Sequence, residues 1–160
     1  MVDDVLINKA ATIERCVIRA KEEYEKSPTT FASDHTRQDA AILNVQRACE
    51  AALDMGQHLI RRERLGIPQS SRDVFTLLAQ AGWIESDLAT RMQKMVGFRN
   101  IAVHDYQALQ LPIVEAVITK HLVGPAKFNF RPSTAFRCPV GAADSASLGW
   151  RKPSKLKTSR

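Results

Sequence analysis

Five polar side chains fall close together in the run Arg99-Asn100-Ile101-Ala102-Val103-His104-Asp105-Tyr106. Together they offer a permanent, forked positive charge, an imidazole of the kind that titrates near neutrality, and a phenolic hydroxyl. That set suits cleavage of an RNA phosphodiester without a metal. The 2′-hydroxyl must lose a proton, the leaving 5′-oxygen must gain one, and the phosphorane between them carries negative charge. A histidine can exchange protons in either step, and an arginine fork can hold two phosphate oxygens as charge builds. Arg99 and His104 are therefore the catalytic candidates. Asn100, Asp105 and Tyr106 are candidates for support: Asn100 to fix the backbone or bond His104, Asp105 to act on the imidazole by proximity, Tyr106 to orient a phosphate or a base.

Geometry limits how the run can work. At about 100° per residue, Arg99 and Tyr106 share a helix face, whereas Arg99 and His104 diverge by about 140°. Either the helix breaks between Asn100 and Val103, or the same run from a second copy faces it across a two-fold axis and completes the site.

The elements that must position these residues read as helices. About Val5 to Tyr24, the residues Leu6, Ile13, Val17, Ala20 and Tyr24 form one apolar stripe, ended by Ser27-Pro28. A second and longest helix, about Thr36 to Leu65, carries Ile42, Val45, Cys49, Ala52, Leu53, Leu59 and Ile60, and stops at Gly66-Ile67-Pro68. Ser70 with Asp73 signals the start of a short third helix that closes at Ala81-Gly82. Ser86-Asp87-Leu88 is expected to cap a fourth, with Leu88, Met92, Met95 and Val96 as its stripe, running up to Arg99. A fifth begins near Pro112 and carries Ile113, Val117, Ile118 and Leu122. No core segment alternates as a strand does, so the expected fold is all-α, an antiparallel up-and-down bundle of four to five helices with short loops.

Charge divides the chain in two. Residues 1–123 hold 15 Lys and Arg against 16 Asp and Glu, a formal −1, while residues 124–160 hold 8 against 1, or +7, which together make the net +6. The bundle at 1–123 thus has no global basic field, and any RNA affinity there must come from a cleft or a local cluster. Arg61, Arg62 and Arg64 form one such cluster and are candidate contacts for an RNA backbone, the alternative being a solvated helix face paired with Glu63. Residues 124–160 contain four of the seven prolines, a composition expected to give a disordered basic tail. Its Phe128, Phe130, Phe136 and Trp150 could stack on single-stranded RNA.

Cys16, Cys49 and Cys138 are too widely spaced for a metal site and odd in number, which fits core packing in a reducing compartment. No apolar run is long enough for a signal peptide or membrane span. A cytoplasmic protein without metal, cofactor or membrane contact is expected. Arg47, Glu50 and Asp54 form a row on the second helix that either orients the Arg99–His104 segment or makes a surface ladder of ion pairs.

The pattern Arg99-Asn100-x-x-x-His104-x-Tyr106 resembles the signature of the HEPN superfamily in the form found in HepT-like toxins. The second helix, from Asp39 through Glu50 to Asp54, and the Phe75-x-x-Leu78 region with Ile84 are also similar to that family, and the likeness covers residues 1 to about 122. The resemblance implies a homodimeric helical bundle with metal-independent endoribonuclease activity, its Arg99 and His104 pairs lining a cleft between subunits. It further implies a partner, an MntA-type nucleotidyltransferase antitoxin that takes AMP from ATP and attaches it to Tyr106. Helical domains of the superfamily also serve as non-catalytic adaptors or nucleotide-binding partners of nucleotidyltransferases, which is the alternative reading. Family members usually continue the last helix, whereas this chain turns at Val123-Gly124-Pro125 into its basic tail.

Overall fold

The structure is a computed structural model of the 160-residue chain that describes residues 3–122. The expected tail at 124–160 lies outside the described residues. Five helices follow in order: α1 (Asp4–Glu25), α2 (His35–Glu63), α3 (Ser71–Gln80), α4 (Ser86–His104) and α5 (Leu111–Ala116), the last continued by a wider π turn at Val117–His121. The described residues contain no strand, and the fold is the all-α antiparallel bundle that the apolar stripes imply.

Local chemistry sets the helix starts. The Asp3 carboxylate accepts the Leu6 backbone N–H at 3.3 Å, Asp34 accepts that of Arg37 at 3.1 Å, and Ser70 accepts that of Asp73 at 3.2 Å. Each satisfies a donor that the first turn leaves open. Helix α4 departs from expectation: Glu85, not Ser86, occupies the cap position, and its start has no side-chain capping hydrogen bond. At the far end of α2, Arg64 takes a left-handed conformation (φ 53°) and Gly66 follows at φ 123°, turning the chain before Pro68.

Helix α1 packs antiparallel on α2. Lys9 meets Asp54 at 2.6 Å near the middle, and Asp3 meets His58 at 2.8 Å and Arg62 at 2.9 Å at one end. Burial pushes the Asp3 carboxyl up, but hydrogen bonds from His58, the Leu6 backbone and Arg62 outweigh it and hold that group below its ordinary value. At the other end the Arg37 guanidinium donates to the Glu23 carbonyl oxygen. Helix α4 also runs antiparallel to α2, α3 is inserted between them and packs on both, and the π turn lies against α1. The core holds Leu6, Ile13, Val17, Phe31, Met55, Leu59, Phe75, Leu78, Met92 and Ile118.

Two expectations about residue placement are corrected. Ile113 is exposed, and Val114 turns inward with Val117, Ile118 and Leu122; positions 114, 117 and 118 share one helix face, to which 113 is peripheral. Helix α4 does not stop at Arg99 but continues unbroken to His104. Asn100 to Val103 include no Gly or Pro, and buried Ala102 keeps that turn docked on the core.

Gly56 marks the close approach of α2 and α3. A Cβ there would lie 2.6 Å from Val74 Cγ1 and 3.2 Å from Leu78 Cδ1. Overpacking costs about 1–3 kcal/mol, and the better helix propensity of alanine returns only about 1. Gly56→Ala should therefore lower the melting temperature by a few degrees, as thermal denaturation followed by circular dichroism would show. A melting temperature above wild type would mean that α3 shifts freely.

Cys16 and Cys49 are buried, as expected of core packing. Burial pushes the Cys49 thiol up to about 12 and raises that of Cys16. A thiol reagent near pH 8 should modify Cys49 in the folded chain about 10³-fold more slowly than in the denatured chain. Peptide mass mapping reads this directly, and equal rates would show that the site opens.

Candidate functional site

The site is built by α2, the end of α4 and the turn after it. Asp39 and Glu50 are eleven residues apart on α2, which places them within about 20° of one face and about 16 Å apart along the axis. Glu50 meets Arg99, its Oε1 lying 3.3 Å from Arg99 Nη2. Asp39 accepts a hydrogen bond from the Tyr106 hydroxyl. One acidic stripe therefore anchors both ends of the 99–106 segment.

Arg99 is held from two sides. Besides Glu50, its Nη1 donates to Asn100 Oδ1 at 3.3 Å, while its Nε is buried without a hydrogen-bond partner among the described residues. Gln46 Nε2 donates to Glu50 Oε1 at 3.2 Å and so orients the carboxylate in turn. A partly exposed pair of this kind adds little stability. Its consequence is orientation, and a guanidinium with an unsatisfied donor gains from a further acceptor. Of the Arg47, Glu50, Asp54 row, only Glu50 reaches the segment, because Asp54 is taken by Lys9.

His104 is the last residue of α4 and exposed, and its side chain makes no hydrogen bond among the described residues. Asn100 bonds Arg99, not His104. Asp105 breaks the helix at φ −148°, its N–H returning to the Ile101 carbonyl oxygen at 2.9 Å. Tyr106 opens the short turn Tyr106–Ala108, so it shares Arg99's side of the molecule by folding back onto α2 and not by helix periodicity. The residue is 44% exposed. Partial burial of the hydroxyl and the carboxylate of Asp39 push its pKa up to about 12.

The basic cluster lies elsewhere. Arg61 is eleven residues beyond Glu50 on α2, about 16 Å along the helix from the Arg99 contact. Arg62 pairs with Asp3 at 2.9 Å and Glu63 at 2.8 Å, and its guanidinium carbon sits 5.8 Å from the Trp83 ring centroid. Arg61 and Arg64 are exposed. A groove of about 810 Å³ runs between α1 and α2, lined by Arg15, Arg19, Asn44 and Arg47 among others, with no residue of α4. Among the described residues no three His, Cys, Asp or Glu side chains come together as metal ligands, and no helix is long and apolar enough to cross a membrane.

Asp39 is the residue that sequence reasoning missed. Its signal was present in its spacing from Glu50, eleven residues apart on one face, but nothing in the sequence tied that face to the phenol.

An all-α bundle whose fourth helix carries Arg-x-x-x-x-His and is followed by Tyr defines a HEPN-type domain. The family model described as "Ribonuclease HepT-like" matches residues 13–129. The mRNA nuclease HepT of Shewanella oneidensis is 53% identical over 120 residues, 75% of this chain and 90% of that protein. A toxin–antitoxin complex solved with AMP-PNP superposes with a TM-score of 0.73 at 52% identity, covering 76% of this chain and 91% of that one. The tri-AMPylated HEPN toxin of S. oneidensis in complex with an MNT antitoxin gives 0.72 at 52% identity, with the same coverage. The chain belongs to the HepT-like ribonuclease family.

Proposed function

We propose that this chain is the ribonuclease toxin of a toxin–antitoxin pair. It cleaves single-stranded RNA without metal assistance at a site completed by two copies, and a nucleotidyltransferase antitoxin silences it by transferring AMP from ATP to Tyr106. The observation that carries the reading is Arg99, held by Glu50 and Asn100, on the same helix as an exposed His104. The relatives' names, an mRNA nuclease and an AMPylated toxin bound to its antitoxin, support it.

The helix supports a site made by two copies. Because α4 is unbroken through His104, Arg99 and His104 diverge by about 140° within one chain. The remaining route is a second α4 facing the first, with exposed Ile101 and Val103, 41% each, as apolar flanks for the contact. In that cleft one imidazole takes the 2′-hydroxyl proton and the other delivers a proton to the 5′-oxygen. The Arg99 guanidinium stabilises the phosphorane charge. AMP on Tyr106 would add a bulky anion on the same face of α2 that holds Arg99, obstructing the cleft by its size and its negative charge.

The test is cleavage of labelled single-stranded RNA in EDTA by wild type and by His104→Ala, with the product ends identified. Fragments ending in a 2′,3′-cyclic phosphate, lost in the variant, are expected. A well-folded wild-type dimer of unmodified mass that cleaves nothing would favour the adaptor reading.

A further inference from the structure

The Tyr106 hydroxyl is already engaged before any nucleotide arrives, and its partner is a carboxylate of the same chain. A nucleotidyl transfer to that hydroxyl needs the phenolic proton removed as the new bond forms. A phenol whose pKa is pushed up to about 12 gives little phenolate at neutral pH. Asp39 is exposed and sits in the second turn of α2, so the contact lies at the surface, where a partner enzyme could present ATP. Among the described residues, the charge acting on the Tyr106 hydroxyl is that of Asp39. His104 and Asp105 are its titratable neighbours along the chain, and both are exposed.

We infer that Asp39 is the proton acceptor for modification of Tyr106, so that the toxin itself supplies the base for its own silencing. This rests on the reading of Tyr106 as the AMP acceptor. Tyr106 Oη attacks the α-phosphorus of ATP held by the antitoxin. The Oη–P bond forms, the bond from the α-phosphorus to the oxygen bridging to the β-phosphate breaks, and pyrophosphate leaves with that oxygen. The phenolic proton passes to the Asp39 carboxylate and then to water. The hydroxyl becomes far more acidic as it bonds phosphorus, so a carboxylate can take the proton in the transition state.

The experiment mixes the purified full-length chain with the MNT antitoxin of S. oneidensis and ATP, and follows initial AMP incorporation by intact mass. Wild type, Asp39→Asn, Asp39→Glu and Tyr106→Phe are compared between about pH 6.5 and pH 8.5. Asparagine keeps an oxygen that accepts the phenol's hydrogen bond but cannot take the proton. Asp39→Asn should be modified at least 10²-fold more slowly at neutral pH, with a rate that rises with pH as hydroxide replaces the lost base. Wild type should be nearly flat apart from any contribution of His104 common to both, and Asp39→Glu should recover part of the rate. Equal rates and parallel pH profiles for wild type and Asp39→Asn, in proteins with matching circular dichroism, overturn the inference and leave Asp39 as a positioning residue. Absence of AMP on wild type, or equal incorporation into Tyr106→Phe, overturns the underlying reading of Tyr106 instead.

Discussion

His104→Ala should lower the rate of RNA cleavage by about 10²–10⁴-fold, the usual contribution of a positioned general acid or base, while leaving the bundle folded. The residue is exposed at the end of α4, and its side chain makes no hydrogen bond among the described residues. Truncation therefore costs almost nothing in packing, and circular dichroism and thermal denaturation should match wild type. Such a pairing of a lost rate with an unchanged fold is what separates a chemical role from a structural one. If two imidazoles divide the acid and base roles, a dimer with one altered subunit should be inactive as well. Activity of co-expressed mixtures should then fall with the square of the wild-type fraction. A linear fall would mean that each subunit works alone, and unchanged cleavage by the pure variant would remove His104 from the mechanism.

What could be read from the sequence was the part governed by one helix at a time. The stripe Leu88, Met92, Met95 and Val96 is buried, as are Ile42, Val45, Cys49 and Leu59 on α2, because a 3.6-residue period reports directly which face meets the core. The end of α4 was not legible. Polar residues after Arg99 resemble a helix terminus, but the docking of Ala102 carries the helix one more turn to His104. Ile113 was misplaced for another reason: adjacent apolar residues 113 and 114 both lie within a turn of Val117 and Ile118, and only the docking of the short helix turns Val114 inward. The pairings of Glu50 with Arg99 and of Asp39 with Tyr106 depend on how α4 slides along α2. That register is tertiary, so the sequence offered Glu50 only as one of two readings and gave no role to Asp39.

Arg99→Lys is the sharper test of the cation, because it keeps the charge and removes the fork. The guanidinium reaches Glu50 through Nη2 and Asn100 through Nη1, two contacts in fixed planar geometry. An ammonium has one nitrogen on a flexible stem and cannot hold both while also meeting a phosphorane oxygen. With Glu50 oriented by Gln46, a lysine ammonium should rest against that carboxylate, withdrawn from the cleft. Losing one oriented donor of this type costs about 10²–10³-fold in turnover, and Arg99→Lys should fall in that range, close to Arg99→Ala. The ion pair itself is part-exposed and adds little stability, so the melting temperature should move by only a degree or two. Cleavage rates compared at saturating RNA, with binding measured separately, distinguish the causes. A lysine variant that turns over like wild type would show that charge alone suffices, and the Glu50 and Asn100 contacts would then be packing and not preparation for the transition state.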